Sequence, residues 1–195
     1  MASMDQIKEL RDRTGISVMQ CGKALEEAGG DMEKAIIILQ KKGSEAASKK
    51  QDRELGAGVV KSYVHSTGTV GTLVELHCET DFVSKNPEFA TLAYDIAMHI
   101  AAARPTFLQK GDISEEAKNL AKEVFIKEVE GKPEEMKEKI LQGKLDSYFA
   151  DKVLLDQAFI KNPDMTIQNL IDAAIQKFGE KIQVGKFVRF DVGGK

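Results

Sequence analysis

Cysteine and proline are scarce in this sequence, and neither sign of charge dominates it. The 195 residues hold two cysteines and four prolines, with 28 Lys and Arg against 31 Asp and Glu. Cys21 and Cys78 lie in what read as different domains, so a disulfide framework is not expected. A nucleic-acid binder usually carries a basic stripe, because neutralising phosphates and releasing counterions drives most of its affinity. Here the basic cluster Lys49, Lys50 and Arg53 is offset by Asp52 and Glu54, so direct binding to nucleic acid is not expected. No apolar run approaches the roughly 20 residues that span a bilayer, which argues against a membrane protein. The first ten residues carry Asp5 and Glu9, and lack both the apolar core of a secretion signal and the acid-poor character of a transit peptide. A cytoplasmic location is expected. Internal repeats and low-complexity tracts are also missing. What remains, 42% hydrophobic and 30% charged residues, is an ordinary globular composition.

The first 43 residues read as three short helices. The first spans about Asp5 to Arg13, with Ile7 and Leu10 on one face. Ser17 is a suitable N-cap for the second, and Gln20 three residues later completes a capping box. Val18, Cys21, Gly22 and Leu25 then follow helical spacing and predict one buried face. Asp31 caps the third helix, with Met32, Ala35, Ile36 and Leu39 inward and Gly43 as the expected C-terminal cap. Ile37 and Ile38 widen this apolar stripe. Either they fill the small core or they dock on something else; the core reading is favoured, because apolar residues beside such stripes are usually buried.

Residues 44–55, rich in Ala, Ser and charge, read as a linker between domain 1–43 and a core domain 56–195. From there the period changes. Val59 to His65 and Val70 to Cys78 flank the turn residues Ser66, Thr67 and Gly68, predicting a hairpin with Val70, Thr72, Val74, Leu76 and Cys78 on its buried face. Ile182, Val184, Val188, Phe190 and Val192 alternate in the same manner, interrupted by Lys186, and supply a third strand. Helices separate the strands. Asn86 and Pro87 open one with Phe89, Leu92, Ala93, Ile96 and Ile100 inward. Ser114 opens another, Pro133 a short one carrying Met136 and Ile140, and Leu145, Phe149 and Val153 mark the next. Thr166 caps the last, which ends at Gly179. The predicted fold class is α+β: a three-helix domain, then a three-stranded antiparallel sheet packed with helices.

Reactive constellations are missing. His65, His77 and His99 have no metal-like spacing to one another or to a cysteine. His77 and Cys78 are strand neighbours, so they point to opposite faces and cannot act as base and nucleophile. Gly68-Thr69-Val70-Gly71 lacks the ending of a phosphate-binding loop and joins two strands. No catalytic residue, metal site or cofactor is expected. The remaining candidate is the junction where the second strand ends and the Asn86 helix has yet to begin. It carries Thr80, Asp81, Phe82 and Val83. By default a solitary loop aromatic is tucked into the core and a turn Asp bonds locally. The alternative is an outward Phe82 serving as an anchor, whose burial in a partner's pocket contributes about 1.5–3 kcal/mol.

Four ordered motifs, spread over essentially the whole chain, resemble the bacterial elongation factor Ts family. They are Lys8-Glu9-Leu10-Arg11-Asp12-Arg13-Thr14-Gly15 continuing through Cys21 to Asp31, Glu79-Thr80-Asp81-Phe82-Val83 with Asn86, Asp95 to Ala102, and Phe187-Val188-Arg189-Phe190. The resemblance implies a guanine-nucleotide exchange factor for elongation factor Tu. It implies that residues 1–43 are a ubiquitin-associated (UBA-like) three-helix module docking through Leu10, Val18 and Met19. By the same resemblance Asp81 and Phe82, within Thr80 to Val83, form a wedge that disturbs the partner's magnesium and phosphate-binding site, and His65 approaches another domain of that partner. Two departures stand out: Ala158 where relatives typically carry proline, and Gly185-Lys186 in place of a commonly basic pair. The chain also resembles the short form, with one copy of the core sheet. That leaves sheet edge and face to cover and points to a homodimer. The competing reading is a UBA-like adaptor for a ubiquitin-like or nascent-chain partner, in which Phe82 would be dispensable.

Overall fold

A computed structural model describes residues 3–129 and 134–194. The helices are α1 (Met4–Thr14), α2 (Val18–Glu27), α3 (Met32–Ser48), α4 (Asp81–Ser84), α5 (Pro87–Ala103), α6 (Glu115–Ile126), α7 (Glu134–Ala150) and α8 (Ile167–Phe178). The strands are β1 (Ala57–Val64), β2 (Val70–Cys78), β3 (Ala158–Phe159), β4 (Asn162–Thr166) and β5 (Ile182–Asp191). The chain is α+β, as its sequence predicts. α7 runs unbroken where the sequence pattern suggested two helices. The start expected at Pro133 lies outside the described residues.

The N-terminal helices surround Leu10, Cys21, Ala24, Leu25, Ala35 and Leu39, all essentially inaccessible to solvent. Ser3, unnoticed in the sequence, caps α1 in a reciprocal pair with Gln6, and Gly15 closes the helix at φ 70°. Ser17 and Asp31 cap α2 and α3 as expected, although Ser17 only accepts the Gln20 N–H and the reciprocal bond of the expected capping box does not form. Two inward assignments need correction. Ala24 takes the core position on α2 while Val18 stays exposed, and on α3 Ile38 packs on the core while Ile37 points to solvent. The buried face of α2 centres on Cys21, Ala24 and Leu25, and that of α3 on Ala35, Ile36 and Leu39.

Gly43 does not end α3. It lies inside the helix, buried, where α3 crosses α8: a Cβ there would sit 3.3 Å from the Asp172 Cβ. The missing side chain lets the two helices approach, and the Ser44 hydroxyl donates to Asp172 at 2.8 Å. Nearby, Arg13 bridges Glu33 and Asp164, and the Asn162 amide donates to the Arg13 carbonyl at 2.9 Å. The first helices are thereby pinned to the β4–α8 segment.

The sheet is antiparallel in the order β1-β2-β5. Thr72, Val74, Leu76 and Cys78 of β2 point inward beneath α5, as the alternation predicts. Thr72 satisfies its buried hydroxyl by donating to the Ala97 carbonyl at 2.7 Å. Asn86 caps α5 through the Glu88 N–H, and Phe89, Leu92, Ala93, Ile96 and Ile100 are all buried. β5 departs from the sequence reading. Val74 pairs with Phe187 but Leu76 with Val184, so Gly185 and Lys186 together oppose Glu75 in a β-bulge. One extra residue reverses the faces: Ile182 and Val184 point inward, and beyond the bulge it is Phe187, Arg189 and Asp191 that turn in. Val188, Phe190 and Val192, expected in the core, are 40%, 63% and 83% exposed.

His99 is wholly buried on α5, with Nε2 2.9 Å from the Gln157 side-chain oxygen and Nδ1 accepting the Ile160 N–H. Acceptance at Nδ1 requires the neutral ring, and burial lowers its pKa from the ordinary 6.5. The unfolded chain therefore binds more protons below that pH, and stability is lost as pH falls through it. Urea unfolding midpoints should decline between pH 7.5 and 5.5 in the wild type, and His99→Gln should flatten that slope. Gly43→Val should force α3 off α8 and destabilise the chain by about 1–3 kcal/mol in the same measurement.

Candidate partner-binding site

The β2–β5 ladder ends at the pair Cys78–Ile182. Just past it, side-chain carboxylates take over from the carbonyls. Glu180 Oε2 accepts the N–H groups of Glu79 and Thr80 at 3.1 and 3.0 Å, and its Oε1 accepts the Thr80 hydroxyl at 2.5 Å. In return a Glu79 carboxylate oxygen accepts the Lys181 N–H at 2.5 Å and the Arg53 guanidinium at 3.1 Å. The Lys181 N–H and, after it, Arg53 hold the Glu79 carboxyl below its usual range. The Lys181 ammonium in turn donates to the carbonyls of Gln51 and Arg53. Strand end, β5 entry and the segment after α3 thus meet at one knot.

From this knot the chain turns at once into α4, a single helical turn closed by the Ser84 N–H on the Thr80 carbonyl and the Lys85 N–H on the Asp81 carbonyl. Its side chains diverge by about 100° per residue. Phe82 projects outward at 82% exposure, whereas the next residue, Val83, is buried in the core at 3%. The default reading of a tucked Phe82 is therefore wrong. Val83 is in turn not a surface residue: it pins the turn from below. Asp81 is exposed beside Lys85, 2.6 Å from its ammonium, which holds the Asp81 carboxyl below its ordinary range. Thr80 is exposed as well.

The Cys78 thiol beneath the turn donates to the Thr80 carbonyl at 3.2 Å. Burial first, and then Glu180, push its pKa up, so it stays protonated and unreactive. His77 lies on the opposite face of β2, as expected. Among the described residues no group of three or more His, Cys, Asp or Glu is placed to hold a metal ion.

The other sequence candidates stand apart. His65 is exposed at the hairpin tip, with Nδ1 3.0 Å from the Tyr63 hydroxyl. β2 has nine residues, so at about 3.3 Å per residue His65 and Phe82 lie near opposite ends of a strand roughly 30 Å long. Val18 and Met19 are 45% and 66% exposed at the start of α2, but Leu10 is fully buried and offers a partner no surface. It supports the bundle from inside. Glu180 and Lys181, and the bracing role of Glu79, escaped the sequence reading, because contacts about 100 residues apart leave no local signal.

Together these features define an α+β protein whose most exposed aromatic, among the described residues, is presented by a braced turn at a strand end. Comparison with known proteins gives the family. A model of the family described as "Elongation factor TS" matches residues 23–194. The elongation factor Ts of Carboxydothermus hydrogenoformans is 48% identical over 195 residues, covering 99% of this chain and 90% of that one. That of Thermodesulfovibrio yellowstonii is 49% identical over 96% of this chain and 94% of its own, and that of Thermosipho melanesiensis 46% identical over 99% and 100%. The chain belongs to the elongation factor Ts family, and its place is in protein biosynthesis, in that family's nucleotide-exchange role. The adaptor reading gains nothing from these matches.

Proposed function

We propose that this protein binds elongation factor Tu carrying GDP and releases the nucleotide by pressing Asp81 and Phe82 against its magnesium and phosphate-binding site. The observation that carries this reading is the 82% exposure of Phe82 on a turn whose neighbour, Val83, is locked in the core. With Val83 fixed in the core the turn holds Phe82 outward, and an aromatic held in this way is suited to fill a partner's pocket. Exchange requires no bond making. It requires the factor to prefer the nucleotide-free partner, and the coupling is reciprocal, so GDP must weaken the factor's grip by the same ratio.

The magnitudes assign work to the rest of the surface. Moving an equilibrium from 1:99 to 99:1 takes about 5.5 kcal/mol, while burying one Phe contributes about 1.5–3 kcal/mol. Additional docking must supply the difference. In this reading the N-terminal domain, residues 1–43, is the UBA-like module that docks through Val18 and Met19, with Leu10 holding the bundle together. Residues 44–55 join it to the core domain, 56–195, and His65 makes a second contact from the far end of β2. The exposure of Val18, Met19 and His65 supports these assignments. In this reading the protein works in the cytoplasm, with neither a membrane nor nucleic acid as a direct partner and without a chemical step of its own.

Two copies also pair in this reading. The sheet face away from α5 exposes Val60, Val64, Leu73, Val188 and Phe190, and an apolar face of that kind favours being covered. Phe190→Asp should then lower the mass measured by light scattering toward a single chain; an unchanged mass would remove the face from the dimer. GDP release from elongation factor Tu tests the wedge. The wild type should accelerate it, Asp81→Ala with Phe82→Ala should lose about ten- to a hundredfold while remaining folded, and excess magnesium should oppose the wild-type effect. Full acceleration by the double variant would refute the wedge.

A further inference from the structure

Thr80 occupies the N-cap position of α4, where a Thr hydroxyl ordinarily accepts a hydrogen bond from the helix's first turn. It makes no such cap. Its hydroxyl instead donates to Glu180, whose two oxygens also take the N–H groups of Glu79 and Thr80. Three donors that lead directly into Asp81 and Phe82 thus converge on one carboxylate supplied from 100 residues away. Glu180 is itself held in place: Gly179 ends α8 in a left-handed cap at φ 75°, and the next residue, Lys181, is tied down by Glu79. Each bond to the carboxylate is charge-assisted and roughly twice as strong as a neutral one.

We propose that Glu180 is a positioning residue for nucleotide release, holding the wedge turn in its working direction before the partner arrives. This rests on the exchange reading of Asp81 and Phe82. An unbraced turn would have to be ordered during insertion, and misplacing a working group by about 1 Å can cost up to a hundredfold in rate. The docking contacts at Val18, Met19 and His65 do not pass through Glu180. Its loss therefore lowers the maximal rate and spares apparent affinity.

The test is GDP release from elongation factor Tu as a function of factor concentration, with the full chain. Glu180→Ala should lower the saturating rate about tenfold, with the half-saturating concentration within about twofold. Glu180→Gln, which keeps an oxygen for the Thr80 hydroxyl, should fall between. Thr80→Val, which removes the hydroxyl donor at nearly constant volume, should lower the rate in the same direction and carries the test if Glu180→Ala does not fold. Because the chain has no tryptophan, Phe82→Trp provides a single tryptophan at the wedge that can be excited selectively over the three tyrosines. Its anisotropy should drop when Glu180→Ala is added, which general stability alone would not produce below the unfolding temperature. Wild-type saturating rates, or unchanged anisotropy, would overturn the proposal. Phe82→Ala run in parallel separates the two ideas. If it keeps full acceleration the wedge reading fails; if it loses acceleration while Glu180→Ala keeps it, only the brace fails.

Discussion

β2 is hydrogen-bonded along both edges, and every second side chain from Thr72 to Cys78 is sealed beneath α5. Among the described residues no other strand is held on three sides. A strand so constrained cannot slide, because a slip of one residue would exchange its buried and exposed faces. Both ends of β2 inherit that rigidity: the hairpin tip with His65 at one, the α4 turn with Phe82 at the other. β2 acts as a ruler between these two surface features, clamped by β1, β5 and α5.

The clamp has two sides of different character. Toward α5 it is apolar and closely packed. Toward β5 it depends on a single inserted residue. Up to Val184 the last strand faces the core normally, and after Gly185 and Lys186 it presents Phe187 and Arg189 inward instead. Arg189 then donates to the Ala101 carbonyl near the end of α5 and pairs with Asp191 at 2.9 Å. The same reversal strips Val188 and Phe190 from the core. A small irregularity in one strand thus caps a helix on one side of the sheet and creates an apolar surface on the other.

Much of this was readable in advance wherever structure is local. Ser17, Asp31, Asn86, Ser114 and Thr166 cap helices where their side-chain chemistry predicts. The alternation of β2 is likewise a property of nine adjacent residues. The failures share a cause. Gly43 reads as a helix stop because glycine usually is one, and only the crossing with α8 makes it a contact residue. Val188 and Phe190 read as core because period-two alternation carries no sign of a bulge until the partner strand is known. Phe82 reads as tucked because burial is the ordinary fate of a lone aromatic. Its family motif suggested otherwise, but the reason, a neighbour buried in its place and a carboxylate brace behind it, required tertiary structure. Leu10 illustrates the converse: a family motif marks it as important, and its place at the centre of the bundle shows that a residue can matter to a surface without belonging to it.

The brace on the turn also sets an order of assembly. β1 and β2 meet through a short hairpin, so their pairing closes a small loop and forms early. The contact between Thr80 and Glu180 spans 100 residues, and pairing over such a separation carries the entropic cost that slows folding of non-local topologies. A ribosome making this chain releases the hairpin and α4 long before it reaches Ile182. Until the final strand emerges and seats its bulge against Glu75, the growing chain carries Phe82 on an unbraced turn. The turn that displays Phe82 is therefore braced only after the strand following Glu180 has been made.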